Sequence, residues 1–211
     1  MPEPIVIIGA GGHGREVEHL IRAINAVRPT WTVSGFVDDA PTAAATALVR
    51  RLGSDIIGGL DEIRTRPPGA YVIGIGDGAA RRRIDALMSE SGWWAAVLVH
   101  PAATIGHDVE LGPGSIVCAG VTATTNINCG RHVHLSRTCA IGHDSTLEDY
   151  VTVHPLASVS GTVHLHAGVT IGTTAAVLQN LTVGAGSVVG AGAVVVNDVP
   201  AGRTVKGVPA R

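Results

Sequence analysis

The sequence predicts an α/β domain followed by a left-handed parallel β-helix, with boundaries at 1–99 and 100–211. Three observations carry this prediction. A short apolar run near the start ends in a glycine-rich turn that leads into helical spacing. Strand and helix patterns then alternate over about the first hundred residues, and from Ile105 onward an aliphatic residue recurs at every sixth position.

Ile5-Val6-Ile7-Ile8 is a continuous apolar run closed by Gly9, as in a buried parallel strand. Gly14 to Val27 places Val17, Leu20, Ile21 and Ile24 at near-helical spacing, with Pro29 just past the end. Trp31 to Val37 reads as a second strand ending in Asp38-Asp39, and Tyr71 to Ile75 and Trp94 to Val99 read as later strands. A helix is expected near Ala79 to Glu90. This alternation builds a small parallel sheet flanked by helices.

The first turn, Gly9-Ala10-Gly11-Gly12-His13-Gly14, fits G-x-G-x-x-G between a strand and a helix. Glycines there let a diphosphate approach the free N–H groups and positive dipole of the helix start, which implies a nucleotide in a Rossmann-like domain. The same glycines also serve a strand that merely turns sharply into its helix. Asp38-Asp39 lies where an acid meets a ribose in dinucleotide folds, yet the rest of the chain does not read as a dehydrogenase catalytic domain.

The second half of the chain is a ladder. The series Ile105, Leu111, Val117, Ala123, Cys129, Leu135, Ile141, Leu147, Val153 continues without insertion to Val195, and four positions after each member stands a small or aliphatic residue. That period belongs neither to a helix nor to an ordinary strand. It is the hexapeptide β-helix pattern, with three hexads closing each eighteen-residue coil and roughly five coils in all. Glycine after the aliphatic position, as at Gly106, Gly112, Gly142, Gly172, Gly184 and Gly190, is expected to supply unusual backbone angles at corners.

Composition fits this reading and narrows the function. The 28 glycines and 3% aromatic residues favour many tight corners over bulky packing. A net charge of -2 without a basic run argues against nucleic acid, and the absence of a long apolar stretch or a basic-flanked leader argues for a cytoplasmic protein with no membrane partner. Cys118, Cys129 and Cys139 form no metal-type spacing and are expected to pack as small residues in the coil.

The tetrapeptide Ile-Gly-His-Asp occurs at 105–108 and again at 141–144, an interval of two coils. His107 and His143 therefore share a column, roughly 10 Å apart, with Thr125 between them. The repeat explains each Ile-Gly; it does not require His-Asp after it. His132 and His134, like His164 and His166, alternate along short strands and are expected to face solvent or a subunit boundary.

With VIIGAGGHGREV, GFVDD, IIGGLDEI, IGHDSTLEDYVTVHP, VTIGTTAAVLQ and VPAGRTVKGVPAR in this order, the chain resembles the bacterial sugar acetyltransferases of the sialic-acid O-acetyltransferase and UDP-amino-sugar N-acetyltransferase type. The resemblance implies an acetyl-CoA-dependent transferase acting on an amino or hydroxyl group of a nucleotide-linked, in particular UDP-linked, sugar. It implies a homotrimer whose acetyl-CoA cleft lies between subunits, and no metal. It assigns the acceptor to Gly12, His13, Gly14, Asp38, Asp39 and Gly59, the general base to His143 followed by Asp144, and the coenzyme cleft to Thr152, Thr173 and Ala191. Thr152 stands where some members carry a second histidine; His134, one coil earlier, and His154 are the neighbouring alternatives.

The chemistry implied is direct attack of the acceptor on the thioester, with an imidazole taking its proton and no acetyl-enzyme. Two other readings compete. A γ-carbonic-anhydrase-like zinc hydratase also uses histidines 36 residues apart, but Glu148 stands where its third histidine belongs. A non-catalytic trimeric scaffold that binds a nucleotide sugar is compatible with the ladder alone.

Overall fold

The computed structural model describes residues 1–211, which divide into two compact units, Met1–Pro101 and Ala102–Arg211. No helix is long and apolar enough to cross a membrane.

The first unit is an α/β layer. Strand β1 (Glu3–Ile8) leads into helix α1 (Gly12–Val27), and β2 (Trp31–Val37) has the bounds its composition predicts. Helices α2 (Ala43–Arg51) and α3 (Leu60–Ile63) precede β3 (Ala70–Ile73), and α4 (Gly78–Glu90) leads to β4 (Trp94–Ala95). The four strands are parallel in the order β2-β1-β3-β4, so β1 is central and its Ile5, Ile7 and Ile8 are buried. Each such aliphatic side chain contributes about 1.5–3 kcal/mol on leaving water.

Two details depart from expectation. The continuous strand over Trp94 to Val99 is instead two short pieces, Trp94–Ala95 and Leu98–Val99, separated by Ala96 and Val97. Helix α2 was not anticipated, although Thr42 caps it by accepting from the Ala45 N–H at 3.1 Å and an alanine-rich stretch comes next.

The second unit is a parallel β-helix built as the six-residue period requires. Strands eighteen residues apart stack in register: Thr104–Ile105 on Thr122–Ala123 on Ala140–Ile141, and Ile116–Val117 on His134–Leu135 on Thr152–Val153. The third face stacks Val109–Leu111, Ile127–Cys129, Thr146–Leu147, His164–Leu165 and Thr182–Val183. The sixth-residue ladder fills the interior, with Val117, Leu147, Val153, Leu165, Ile171, Val177, Val183 and Val189 fully buried.

The corners are not made as expected. Left-handed backbone falls three residues after each interior aliphatic, at Asp108, Asn126, Asp144, Thr162 and Asn180 along one edge, with φ between 54° and 60°. The glycines after the aliphatic positions have no positive φ; they serve close approach instead. A Cβ at Gly142 would run into the backbone of Ser160 and Gly161 in the next coil, and one at Gly172 into Ala191.

Candidate functional site

The two Ile-Gly-His-Asp copies occupy equivalent corners but differ in what surrounds them. Asp144 has φ 58°, a conformation Asp tolerates better than most residues, and this turns its carboxylate back toward the preceding side chain. His143 Nδ1 lies 2.7 Å from Asp144 Oδ2, and Asn126 Nδ2, one coil earlier in the same left-handed column, donates to Asp144 Oδ1 at 3.0 Å. The Asn126 amide first, and then the His143 contact, hold the Asp144 carboxyl below the usual carboxylate range. An ionised carboxylate only accepts, so the Nδ1–H of His143 donates to it, and in the neutral imidazole Nε2 keeps the lone pair.

That lone pair belongs to a ring 61% exposed, and Gly161, one coil later, sits directly against the ring. A Cβ there would lie 2.5 Å from Nε2, so glycine makes the space the imidazole occupies. His107 has none of this. Its ring is exposed and makes no hydrogen bond, Asp108 has the same backbone turn, and no earlier coil supplies an amide behind it. Only the main chain of His107 is engaged, accepting from Thr125 Oγ1 at 2.8 Å and from the Asn126 N–H at 3.2 Å.

The positions implied for the coenzyme divide into two groups. Thr173 and Ala191 share one exposed corner column, where the Thr173 carbonyl accepts from the Gly192 N–H at 2.9 Å. Thr152 is on a strand, paired in register with His134 and Thr170, and is only 3% exposed. Thr173 follows two residues after the Thr170–Ile171 strand that stacks on Thr152–Val153.

Among the other histidines one expectation is overturned. His132 and His134 do not face solvent: they are 0% and 2% exposed, and the His132 ring stacks on Tyr150 at 5.9 Å. His132 sits in a corner column between Gly114, whose missing Cβ leaves the space its ring fills, and Tyr150, so its ring is covered from both neighbouring coils. His164 and His166 are half-exposed and converge on Glu148. Glu148 is thus grouped with those two residues and not with His107 and His143, the set a γ-type hydratase would require.

In the first unit the glycine loop, Asp38, Asp39 and Gly59 lie around one region. Gly14 is needed for packing, since a Cβ there would collide with the Gly9 carbonyl. Helix α1 starts after Gly11 with no side-chain cap and no acid in its first turn; Gly11 faces open space, and the only atom near a Cβ at Gly12 would be Arg15 Nη2 at 4.0 Å, as suits an anion-accepting helix start. Asp38 is committed to the backbone, accepting from the Ala10 N–H at 2.9 Å and the Ala40 N–H at 3.0 Å. Asp39 accepts from the Leu60 N–H at 2.7 Å, next to Gly59. Together Gly9, Asp38, Asp39, Ala40, Leu60 and Ile75 line a cleft of about 220 Å³. His13 at the helix start is 3.3 Å from Glu16.

Comparison with known proteins places the chain in a family. Residues 4–86 match the family described as the PglD N-terminal domain. GDP-perosamine N-acetyltransferase of Escherichia coli O157:H7 is 33% identical over 146 residues, covering 67% of this chain and 66% of that enzyme, just under two thirds of its length. The acetyltransferase domain of PglB from Neisseria gonorrhoeae superposes with TM-score 0.86 at 29% identity, over 99% of this chain and 98% of that one. The chain belongs to the bacterial sugar acetyltransferases of the hexapeptide-repeat class. Its second unit is the left-handed β-helix of that family. A histidine-to-asparagine variant of perosamine N-acetyltransferase from Caulobacter crescentus, solved with CoA and GDP-perosamine, matches this family member at TM-score 0.88 and 29% identity, over 99% of this chain and 95% of that one.

Two residues of the candidate site escape a reading of the sequence alone. Asn126 and Gly161 lie one coil before and one coil after the His-Asp pair, eighteen residues from Asp144 and His143 respectively. Stepping the ladder by one coil in each direction would have found them.

Proposed function

We propose that this chain transfers acetyl from acetyl-CoA to the amine of a nucleotide-linked amino sugar. The observation that carries the reading is the Asn126–Asp144–His143 array, which orients the imidazole through Nδ1 and leaves Nε2, over Gly161 on a largely exposed ring, as its proton acceptor. The acceptor amine loses its proton to Nε2 as its nitrogen attacks the thioester carbonyl. Asp144 stabilises the resulting imidazolium, and the proton then leaves with the CoA thiolate. No serine or cysteine nucleophile enters, so transfer is direct.

The nucleotide end of the acceptor engages the Gly12, His13 and Gly14 helix start together with the Asp38, Asp39 and Gly59 cleft. The coenzyme runs along the corner of Thr173 and Ala191, with buried Thr152 on the adjoining strand, and a neighbouring copy in a homotrimer closes the cleft. Nitrogen is favoured over oxygen because the two perosamine enzymes act on an amino sugar. Their acceptor is GDP-linked, so GDP enters beside UDP as a candidate carrier.

The test is acetyl-CoA turnover against a panel of UDP- and GDP-linked amino sugars and their hydroxyl counterparts, with products weighed by mass spectrometry. A gain of one acetyl group on an amino sugar supports the reading. Turnover on hydroxyl sugars alone, or none on any member while CoA still binds, refutes it.

A further inference from the structure

The outer face of the β-helix carries a second cluster that the transfer chemistry does not use. Thr146-Leu147 and His164-Leu165 are paired in register on successive coils, so Glu148, just after one strand, lies beside His166, just after the next. Leu165 points inward and is fully buried, which puts His164 and His166 on the same outer side of the strand. Their rings stack with centroids 4.1 Å apart. Both reach one oxygen: His164 Nε2 is 2.8 Å and His166 Nδ1 2.9 Å from Glu148 Oε1. The other oxygen, Oε2, accepts from the Ala167 N–H at 2.9 Å, which locks the carboxylate in that orientation.

The geometry points to a binding site for a divalent transition-metal ion, of which zinc is the representative, held by His164 Nε2, His166 Nδ1 and Glu148. The three donor atoms lie within 4.8 Å of one another. Around a tetrahedral zinc at about 2.0–2.1 Å, ligand atoms stand roughly 3.3 Å apart, so the two contacts to Glu148 open by about half an ångström and the two ring nitrogens settle to the same spacing to admit the ion. Two imidazoles and one carboxylate select zinc, cobalt, nickel or copper over magnesium and calcium, which prefer all-oxygen sets. The backbone bond to Oε2 is the kind of second contact that orients a metal ligand.

Nothing need be oxidised or expelled. On binding, each neutral imidazole moves its proton to the other ring nitrogen, so the nitrogen now facing Glu148 has a lone pair for the metal. A cleft of about 300 Å³, lined by Asn128, Thr146, Asp149 and Ala167, adjoins Glu148 and leaves room for water as a fourth ligand. Because the ligands come from two successive coils, the ion staples one turn of the helix to the next. The site is separate from the His143 array and stands whether or not the transferase reading holds.

The experiment is calorimetric titration of zinc chloride into the tag-free full chain, stripped with chelator, at neutral pH, with melting curves in parallel. One zinc per chain and a rise in melting temperature are expected. His164→Ala and His166→Ala should each weaken binding by about tenfold or more, Glu148→Gln should weaken it too, and His107→Ala and His143→Ala should leave it unchanged. Metal-free melting curves check that each variant folds; where an alanine variant does not, the glutamine replacement is used. Absence of saturable binding at millimolar zinc overturns the site. So does zinc binding of undiminished affinity in the His164→Ala/His166→Ala double variant.

Discussion

His107 and His143 show how little a shared motif determines. The same four residues, on the same kind of corner, give a ring with no hydrogen bond in one coil and an oriented imidazole in another. We therefore expect His143→Ala to lower turnover by about 10²- to 10⁴-fold, while His107→Ala stays within about tenfold of wild type. Both should be measured at saturating acceptor, so that a binding defect is not read as a chemical one. A larger loss in His107→Ala would reverse the assignment. Gly161→Val tests the placement of the ring without touching its chemistry. The new side chain must push the imidazole from its seat, and a displacement of about 1 Å costs roughly 10²-fold in turnover. Acetyl-CoA binding by calorimetry should be unaffected; equal losses in binding and turnover would mean that Gly161 shapes the cleft instead.

At the scale of the single coil, the interior is apolar enough to suppress even thiol ionisation. Burial pushes the Cys129 thiol up to about 12, and burial with the neighbouring thiols does the same to Cys139, also to about 12. Neither should react with a disulfide reagent in the native protein at mildly alkaline pH, whereas both should react once it is unfolded. The ordinary thiol value of 9.0 is lower than the folded value, so the unfolded chain loses these protons first. Stability from this source is fully present below about pH 9 and is lost as pH climbs toward 12. Replacing both cysteines with alanine should flatten that alkaline decline in a series of melting curves; an unchanged decline would assign it to other groups.

The same scale explains how much of the fold was legible in the sequence. The interior ladder could be read because burial repeats with a strict period and chance does not sustain it. The corner chemistry could not. The residue that turns left-handed is the third after each aliphatic, a seat filled by Asp, Asn, Thr, His, Tyr and Leu as well as by glycine, so composition does not mark it, and glycine after the aliphatic position has a second physical use, letting backbones touch. His132 was misplaced because what covers it, Gly114 one coil before and Tyr150 one coil after, comes into contact only once the coil register is imposed. The Glu148 cluster escaped because its members are sixteen and eighteen residues apart and become neighbours only once the coil register is imposed.

For the whole molecule, the inferred cleft requires a second copy. Light scattering should report three chains of 21.5 kDa each per particle. A fully active monomer would defeat both the assembly and the shared cleft. The first unit makes its own prediction: calorimetry should detect a nucleotide sugar at the Gly9 to Gly14 turn and no NAD. Gly12→Val, whose side chain would stand at the helix start with only the flexible Arg15 guanidinium beside it, should weaken that binding while leaving the fold intact. Tight binding of NAD alone would return the glycine loop to its dinucleotide reading.

The left-handed corner column has a consequence for how such a chain can change length. Asp108, Asn126, Asp144, Thr162 and Asn180 occupy interchangeable seats, each eighteen residues from the next. An insertion or deletion of one whole coil returns every later residue to an equivalent seat, so length should vary in steps of eighteen. Duplicating a coil beyond Asn180 would lengthen the rod and leave the His143 array untouched. Duplicating 127–144 would instead create a second His-Asp pair one floor above the first, with Asp144 in the seat that Asn126 fills now, and a negative charge in place of an amide behind the new carboxylate. Growth is free on one side of Asn126 and Gly161 and forbidden between them. The proposed active centre is thus a three-storey unit that can be raised or lowered within the tower but cannot be opened.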